Sequence, residues 1–532
     1  MITNYKKNTL LHSLAGIGYL GLSIGGGCYS VASAAQNENG KPNIIYILAD
    51  DLGYGELGIY GQNKIETPNI DKLGEQGMIF TQHYSSSPVC APARCMLLTG
   101  RHSGNALVRG NDPMAGRGDV RDFMAMFADS TLEGNHPLPA GTVTIGTILQ
   151  EAGYKTAVVG KWGLGTPDSE SIPTNMGFDF FYGYICQRQA HTYYPLHLYR
   201  NEYRVYLNND TVPPHTGLRP DEDPYDIQSY ERFNLNDFTP DLMFDEITAF
   251  VNNNRDNPFF LYWATPIPHL PIQAPQTWVD HYVGKFGDED PYYGGGYFPH
   301  RYPRAGYAAM VSYLDDQIGQ LVSQLKDLGI YENTLIIFTS DNGPGTGGGT
   351  NTPWFNSAGP FRSESGRVKG SLFEGGIRVP MIAHWPVVID AGSISDHISA
   401  FHDVLPTLSD IIGEEPPVET DGISFLPELK GEAQTSHEFL YWEYPASGGQ
   451  QAVRIGKWKA LRRNMHNGNE VFKLFDLEND PAEIFDRADN NPEIILKVHE
   501  IIDREHTTSE NPLWRYDILD NQVVYQGIPE LQ

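Results

Sequence analysis

The chain is poor in cysteine and in positive charge, and each shortage argues against a class of protein. Only four of its 532 residues are cysteine, and one of them lies near the N-terminus, so the rest of the chain has too few for a disulfide framework. We expect Cys95 and Cys186 to be buried thiols, with a bond between them as the alternative. Lysine and arginine total 37 against 66 aspartates and glutamates, and the resulting net charge of −29 argues against nucleic acid as a partner.

Long apolar runs are also scarce. The run at residues 10–24 follows two lysines and precedes a small-residue box, Ala32-Ser33-Ala34, so residues 1–34 are predicted to be a signal peptide. A membrane anchor fits less well because this run is short and broken by glycines, and no other stretch is apolar enough to span a membrane. We therefore expect export to the periplasm or the extracellular space, either with cleavage near Ala34 or with Cys28 as a lipidated lipoprotein anchor.

What the chain does contain is a repeated order of strand, polar loop and helix. Continuous apolar runs predict strands that are buried on both faces, at 42–48, 154–160, 258–264, 334–340 and 379–385. Helical spacing of apolar residues, as in 310–325, predicts helices that cover the sheet. For residues 35–430 we predict a catalytic domain of the α/β class, with a large, mostly parallel sheet sandwiched by helices.

The pattern changes after residue 430. Short strands at 438–443, 452–462 and 471–477, followed by a helix from Glu493, predict a smaller α+β domain with an antiparallel sheet in residues 431–532. Before the change, the stretch 182–237 is rich in Tyr, His and Asn and has no clear period. It is predicted to be loop with short hairpins, and a loop of this length usually carries function.

Polar residues follow two of the predicted strands. Asp50 and Asp51 come after the first strand, and Asp341 and Asn342 come after a later one. Ligand sites in parallel sheets lie beyond the carboxyl ends of the strands, although each pair alone also fits a solvated turn. Together they offer three carboxylates and an amide oxygen, a set suited to Ca²⁺ or Mg²⁺. Neither an HExxH motif nor paired CxxC motifs occur, which argues against zinc at this site.

Residues 84–100, YSSSPVCAPARCMLLTG, place Cys90 at the start of a short predicted helix. Pro92 suits the first turn, and Gly100 can end the helix. Free N–H groups and the helix dipole favour negative charge near Cys90, and Arg94, about one turn further on, adds a cation. This stretch predicts a reactive residue beside an anion pocket.

The sequence CAPAR, followed by LTGR at 98–101, resembles the signature of the formylglycine-dependent sulfatases, the type I sulfatases of the alkaline-phosphatase-like superfamily. Further landmarks of that family occur in its order: Asp50-Asp51, Gly160-Lys161-Trp162, Pro268-His269, Asp341-Asn342-Gly343, and Lys369 ahead of Glu374-Gly375-Gly376. They span nearly the whole predicted catalytic domain.

The resemblance implies an alkaline-phosphatase-like fold and hydrolysis of sulfate esters. It implies that a formylglycine-generating maturation enzyme oxidises Cys90 to formylglycine, whose hydrate is the nucleophile. It implies one Ca²⁺ held by five residues: Asp50, Asp51, Asp341, Asn342 and the modified Cys90. It also implies that three cations surround the sulfate, namely Arg94, Lys161 and Lys369, and that His269 protonates the leaving oxygen.

Two positions depart from the family pattern. Ala93 stands where many members have serine, so the maturation enzyme must accept alanine. Gly163 stands where members commonly have a histidine, thought to deprotonate the second hydroxyl of the hydrate. Our candidate for that role is His191, and contact with the substrate is the alternative; placement in a loop does not decide between them.

Two other functions are weighed against a sulfatase. Phosphatases and phosphodiesterases of the same superfamily generally use a Ser or Thr nucleophile and two zinc ions with histidine ligands, whereas this chain has Cys90 and Asn342. An inactive sulfated-glycan-binding protein would leave Cys90 unmodified and would not need the metal ligands. Export suggests sulfated carbohydrates as substrates, with galactose or N-acetylgalactosamine types as the specific expectation. Several aromatic residues would either stack on sugar rings or pack in the fold: Tyr193, Tyr194, Tyr292, Tyr293 and Trp354.

Overall fold

A ten-stranded sheet dominates the structure, a computed structural model that describes residues 40–112 and 122–520. The predicted signal peptide and Cys28 lie outside these residues. The first twelve strands in chain order are β1 (Asn43–Ala49), β2 (Met78–Phe80), β3 (His83–Tyr84), β4 (Lys155–Lys161), β5 (Phe180–Tyr184), β6 (His197–Arg200), β7 (Tyr203–Tyr206), β8 (Phe259–Ala264), β9 (Thr334–Ser340), β10 (Met381–His384), β11 (Ser393–Ser395) and β12 (Ser399–Ala400). β3 and β12 form a separate two-stranded ribbon.

The large sheet has the strand order β11-β2-β10-β9-β1-β8-β4-β5-β6-β7. The central strands β9, β1, β8, β4 and β5 are mutually parallel, which confirms the predicted sheet. β10 runs antiparallel to both of its neighbours. β6 and β7, within the stretch without a period, extend the sheet as an antiparallel hairpin.

Helices cover both faces of this sheet. They are α1 (Pro68–Glu75), α2 (Cys90–Thr99), α3 (Phe123–Ala128), α4 (Ile145–Glu151), α5 (Thr239–Asn253), α6 (Gln276–Tyr282), α7 (Pro303–Asp327), α8 (Thr352–Phe355), α9 (Glu374–Ile377), α10 (Val404–Ile412) and α11 (Leu426–Leu429). Because side chains alternate along a strand, Ile45 and Ile47 of β1 pack with α1, α5, α6 and α7, whereas Ile44 and Leu48 pack with α2, α4 and α10. Each such buried side chain stabilises the fold by about 1.5–3 kcal/mol.

The helix α2 begins at Cys90, as predicted, and all ten of its residues are buried. It ends at Gly100, whose φ of 68° is a left-handed conformation that glycine adopts without a Cβ penalty. Burial on all sides fixes the helix against the sheet, so the position of residue 90 is set by packing rather than by a mobile loop.

The C-terminal part forms an antiparallel sheet, as predicted, and this sheet has four strands rather than the three expected. Its elements are β13 (Leu440–Tyr444), β14 (Gln450–Ile455), β15 (Trp458–Arg463), β16 (Lys473–Asp476), α12 (Pro492–Glu505) and α13 (Asp517–Asp520). The single strand expected over 452–462 is wrong, because Gly456, with a φ of 54°, and Lys457 form a tight turn between β14 and β15. The division of the chain at residue 430 stays a prediction.

The C-terminal sheet packs against the segment that precedes Cys90. Trp442 on β13 donates from its indole nitrogen to the carbonyl oxygen of Ser85 at 2.9 Å. Tyr84 and Val89 share an apolar cluster with that strand. The smaller sheet therefore supports the loop that carries the candidate nucleophile.

Two expectations about the whole chain concern cysteines and membranes. Cys90, Cys95 and Cys186 are buried and unpaired, so the expected thiols are confirmed. Across residues 40–112 and 122–520, we find no helix with both the length and the apolar character needed to cross a membrane.

Candidate active site

The carboxyl ends of the parallel strands bring the predicted metal ligands together. β1 leads into Asp50 and Asp51, and its neighbour β9 leads into Asp341, with Ala49 opposite Ser340 in the ladder. The backbone N–H of Asp341 donates to Ala49 O at 3.0 Å, and that of Asp51 donates to Asp341 Oδ1 at 3.1 Å. Strand register therefore brings these three residues to the same edge of the sheet.

Asp51 has a φ of 67°, which is a left-handed conformation. Neighbouring side chains of an extended strand point to opposite faces, and this turn breaks that alternation. As a result the carboxylates of Asp50 and Asp51 both reach a cluster with Cys90 and His269, whose potential ligand atoms lie within 4.8 Å of one another. Aspartate tolerates the left-handed conformation better than most residues do.

Cys90 lies at the centre of this cluster and is only 2% exposed. Its Sγ is 3.3 Å from Asp50 Oδ1 and 3.6 Å from Lys369 Nζ. Burial, together with Asp50, raises the pKa of the Cys90 thiol to about 12. Since the thiolate is the nucleophilic form of cysteine, the unmodified thiol is unreactive as a nucleophile at neutral pH.

Three cations pair with the three aspartates. Lys161 Nζ is 2.5 Å from Asp50 Oδ2, and Lys369 Nζ is 2.7 Å from Asp51 Oδ1. Arg94 donates to Asp341 Oδ2 from Nη2 at 2.8 Å and from Nε at 3.2 Å. Its Nη1 also donates to the carbonyl oxygen of Lys161 at 2.6 Å.

These pairs set the charges of the site. Burial works to raise the pKa of Asp50, but the cations Lys161 and Arg94 outweigh it and hold that pKa well below its usual range. Burial and the charge of Asp50 raise the pKa of Asp341 to about 6. Burial would lower the pKa of Lys161 and of Lys369, yet the facing aspartates raise both, so both lysines are charged.

His269 lies beside these groups with a defined tautomer. Its Nδ1 is 2.7 Å from the carbonyl oxygen of Leu270, so Nδ1 carries a proton, and Nε2 is 3.8 Å from Asp51 Oδ2. Burial and Lys369 lower the pKa of His269 well below its ordinary value, so the free protein holds it neutral, with Nε2 unprotonated. Tyr193 Oη donates to the carbonyl oxygens of His269 and Pro266, both at 2.7 Å. Tyr193 is 1% exposed and packs rather than stacking on a sugar.

His191 borders the cluster through His269, with 5.3 Å between the two ring centroids. Its Nδ1 is buried and has no hydrogen-bond partner in the described part of the chain. Burial and the nearby His269 lower its pKa well below the ordinary value. His215 and Tyr297, which the sequence did not single out, pack against the His191 ring at 5.5 and 5.4 Å and extend the wall of the site.

Gln187 is a further residue that the sequence analysis missed. The pairing of β4 with β5 brings its segment alongside Gly163, where a Cβ would stand 3.5 Å from Gln187 Oε1. Gln187 Nε2 donates to Asn111 O at 3.3 Å, and Asn111 Oδ1 accepts the N–H of Ala91 at 2.8 Å. Gln187 Oε1 is buried without a partner among the described residues.

The predicted metal ligands fit a hard divalent cation. Asn342 Nδ2 donates to Asp51 Oδ1 at 2.8 Å, whereas Asn342 Oδ1 is buried and has no partner in the ranges described. A buried acceptor without a donor costs about 1–3 kcal/mol, which a cation would offset. Carboxylate and amide oxygens are the ligands that calcium takes. The structure thus brings every predicted site residue into this cluster or, for His191, to its edge; their roles stay predictions.

Comparison with known proteins agrees with this geometry. The Sulfatase family model matches residues 42–414, and a second model, N-sulphoglucosamine sulphohydrolase, C-terminal, matches residues 368–507. The chain belongs to the sulfatase family. Sulfatases hydrolyse sulfuric esters. This chain is therefore a sulfuric ester hydrolase of EC class 3.1.6.

Alignments with similar proteins cover most of this sulfatase. N-acetylgalactosamine-6-sulfatase of Canis lupus familiaris is 32% identical over 443 residues, which is 81% of this chain and 74% of that protein. Arylsulfatase A of Homo sapiens is 30% identical over 505 residues, covering 86% of this chain and 87% of that protein. The crystal structure of Ps i-CgsB in complex with k-i-k-neocarrahexaose matches with a TM-score of 0.67 and 29% identity, covering 87% of this chain and 93% of the other. The fold of this sulfatase is alkaline-phosphatase-like, as the resemblance implied.

Proposed function

We propose that this sulfatase removes sulfate from sulfated carbohydrates, using a formylglycine made from Cys90 and one bound Ca²⁺. The observation that carries the proposal is a buried, protonated Cys90 enclosed by three aspartates and three cations. Similar proteins support the substrate class, because one is an N-acetylgalactosamine-6-sulfatase and another binds a neocarrahexaose. We expect galactose or N-acetylgalactosamine types of sugar.

The calcium ion and the formylglycine would each supply a part of the reaction that the unmodified residues lack. A calcium ion would be held by oxygen atoms of four residues together with residue 90: Asp50, Asp51, Asp341 and Asn342. It would neutralise negative charge on the reacting oxygens. Hydrated formylglycine would supply the oxygen nucleophile, since a thiol with a pKa of about 12 cannot serve at neutral pH.

The three cations have different access to a substrate. The side chain of Lys369 is 21% exposed, whereas those of Lys161 and Arg94 are 1% and 0% exposed. We infer that Lys369 meets the incoming sulfate first and that Lys161 lies behind it. Arg94 donates to Asp341 and to the Lys161 carbonyl oxygen. It therefore fixes the proposed metal ligand Asp341 and adds positive charge from a fully buried position.

We propose that His269 gives a proton to the leaving oxygen. Nδ1 is anchored on the Leu270 carbonyl, so Nε2 is the atom that exchanges protons with a substrate. Because the free protein holds His269 neutral, the proton must be taken up as the substrate binds. An anionic sulfate ester next to the ring favours that uptake, since negative charge raises the pKa of a histidine.

We propose His191 as the base that resets residue 90, in place of the histidine that is absent at Gly163. Its buried neutral ring and its free Nδ1 support this role. The pH–rate profile of His191→Ala tests it, since loss of a base removes one limb of the profile. An unchanged profile with a raised KM would assign His191 to substrate binding instead.

The decisive experiment is a screen of sulfated mono- and disaccharides with defined linkage, run with protein that was coexpressed with a formylglycine-generating enzyme. We expect sulfate release, a Cys90 peptide whose CH2SH side chain has become the aldehyde CHO, and loss of activity on calcium chelation. Cys90→Ala should keep the fold and release no sulfate. Turnover by that variant would refute the formylglycine mechanism, and phosphate-ester cleavage in place of sulfate release would favour the phosphatase alternative.

We also propose that the protein is exported. The leader at residues 1–34 supports this, with Cys28 as an alternative lipid anchor. The N-terminus of the mature protein, read by mass spectrometry from a periplasmic fraction, distinguishes cleavage near Ala34 from lipidation at Cys28. An intact leader on cytoplasmic protein would overturn the proposal.

A further inference from the structure

A second cluster of metal-binding side chains shares no residue with the active site. His402 and Asp403 directly precede α10, and His437 lies three residues before β13. One potential ligand atom from each lies within 4.8 Å of the other two. His402 and Asp403 are 3% and 0% exposed, and the side chain of His437 is 8% exposed. The cluster therefore joins the catalytic sheet's helical layer to the C-terminal sheet.

Asp403 and His437 already have a spacing close to that of metal ligands. His437 Nε2 is 2.8 Å from Asp403 Oδ1 and 3.0 Å from Asp403 Oδ2. Ligand atoms on a tetrahedral zinc, at bond lengths of about 2.0–2.1 Å, lie roughly 3.3 Å apart. The carboxylate is also held in place by the N–H groups of Ala400 at 2.7 Å and Ile423 at 2.8 Å. An ion can thus enter this pair with little movement of either side chain.

His402 supplies the third donor. Its Nδ1 is 2.9 Å from Ser86 Oγ, and its Nε2 makes no hydrogen bond within residues 40–112 and 122–520. When Nδ1–H donates to Ser86, Nε2 carries a lone pair, which is the arrangement that a metal-binding histidine needs.

A cavity of about 220 Å³ adjoins these side chains. His402 and His437 line it together with one further imidazole and three carboxylates: His102, Asp421, Glu438 and Glu505. Among the described residues that line it there is no lysine or arginine, although Arg504 pairs with two of the three carboxylates, Glu505 and Glu438. The cavity is therefore negative and has room for waters that would complete a coordination shell.

We propose that His402, Asp403 and His437 bind a divalent transition-metal ion of the zinc type, separate from the active-site cation. Two imidazoles and one carboxylate form a donor set that zinc takes, whereas calcium prefers oxygen alone. Binding releases to solvent the proton that His437 Nε2 shares with Asp403. Because His402 is hydrogen-bonded to Ser86, four residues before Cys90, the ion would also stabilise the loop that leads to the nucleophile.

The test uses the full-length protein saturated with calcium, so that the active site does not compete. Equilibrium dialysis against Zn²⁺, followed by elemental analysis, should give one bound zinc per chain. His402→Ala and His437→Ala should each weaken binding about 100-fold, within the range for loss of a zinc-coordinating or supporting group. His499→Ala, which removes an exposed histidine of α12, should bind zinc as the wild type does.

Two measurements on the wild-type protein cover the case in which a variant fails to fold. Co²⁺ should produce a visible absorption band typical of histidine-ligated tetrahedral cobalt, and Zn²⁺ should displace it. Zn²⁺ should also raise the melting temperature of the calcium-saturated protein. No cobalt band at saturation, or equal zinc binding by the wild type and the His402 and His437 variants, would overturn the proposal. Sulfate release is not a readout here, so these results are independent of the proposed function.

Discussion

Gln187 lies against Gly163, within ordinary contact of the place that a Cβ at residue 163 would take. A Cβ on Gly163 would stand 3.5 Å from Gln187 Oε1 and 3.7 Å from Gln187 Cβ. Gly163 is two residues beyond Lys161, and the amide of Gln187 connects through Asn111 to the N–H of Ala91, next to residue 90. A glutamine from another segment thus borders Gly163, the position at which the family resemblance implies a histidine.

We expect Gln187→Leu to lower kcat about tenfold with little change in KM. The variant loses the hydrogen bond to Asn111 and the buried acceptor Oε1, and a hydrogen bond is worth about 1.4 kcal/mol, or tenfold in rate. Steady-state kinetics and the melting temperature, measured together, separate a positioning effect from general destabilisation. Gln228→Leu, an exposed glutamine, is the matched control. An unchanged kcat for Gln187→Leu would show that the amide only fills space.

The proton-donor role of His269 predicts a dependence on the leaving group. We expect His269→Ala to lower the rate about 10²–10⁴-fold for alkyl sulfates such as sugar sulfates. The loss should be much smaller for nitrophenyl sulfate, because that leaving group departs without a proton. Equal losses for both substrates would assign His269 to binding or to metal support.

The raised pKa of Asp341 predicts that calcium affinity depends on pH. With a pKa of about 6 in the metal-free protein, Asp341 binds a proton below that pH, and calcium must displace it. We therefore expect affinity to be constant above about pH 7 and to fall up to tenfold per pH unit below about pH 6. Calorimetry in buffers of different ionisation enthalpy measures the released proton. Asp341→Asn should bind calcium more weakly and with a flatter pH dependence; an unaltered slope would contradict the assignment.

Much of the site can be predicted from the sequence, because its residues directly follow apolar runs that are typical of strands buried on both faces. An apolar run ending in Asp50-Asp51 and another ending in Asp341-Asn342 must converge when the two strands are parallel neighbours, as β1 and β9 are. The start of α2 at Cys90 follows equally from Pro92 and Gly100. These features depend on local pattern, and the structure agrees with the pattern.

The parts that the sequence did not predict depend on distant contacts. Gln187 belongs to a stretch without a period, and only the pairing of Gly160 with Gly183 brings that stretch to the site. Tyr193 was considered for sugar stacking, but its Oη supports the His269 loop. The β14–β15 turn was missed because Gly456-Lys457 lacks the asparagine-glycine or aspartate-glycine pair that most clearly marks a two-residue hairpin.

Lys459 connects the C-terminal sheet to α9 through a buried network of ion pairs. It lies on β15, with Nζ 2.8 Å from Glu374 Oε1 and 3.0 Å from Glu483 Oε1, and all three side chains are almost fully buried. Glu374 opens α9 in the catalytic part of the chain. Burial would raise the pKa of Glu374, but Lys459 and Arg378 outweigh burial and lower it to about 2. Burial raises the pKa of Glu483 to about 7.

Lys459→Ala should lower the free energy of unfolding at neutral pH by about 3–5 kcal/mol, because it leaves Glu374 and Glu483 buried without their shared cation. Lys457→Ala is the matched control, since Lys457 is an exposed partner of Asp476 and its loss should cost at most about 1 kcal/mol. The ion pair stabilises the wild type above the unfolded pKa of Glu374, and that contribution is lost as pH falls toward about 2. In Lys459→Ala both carboxyls take up protons more readily, so the gap between variant and wild type should narrow from neutral pH to about pH 5. Urea unfolding at the two pH values measures this; a gap that is constant with pH would show that the loss comes from packing rather than from charge.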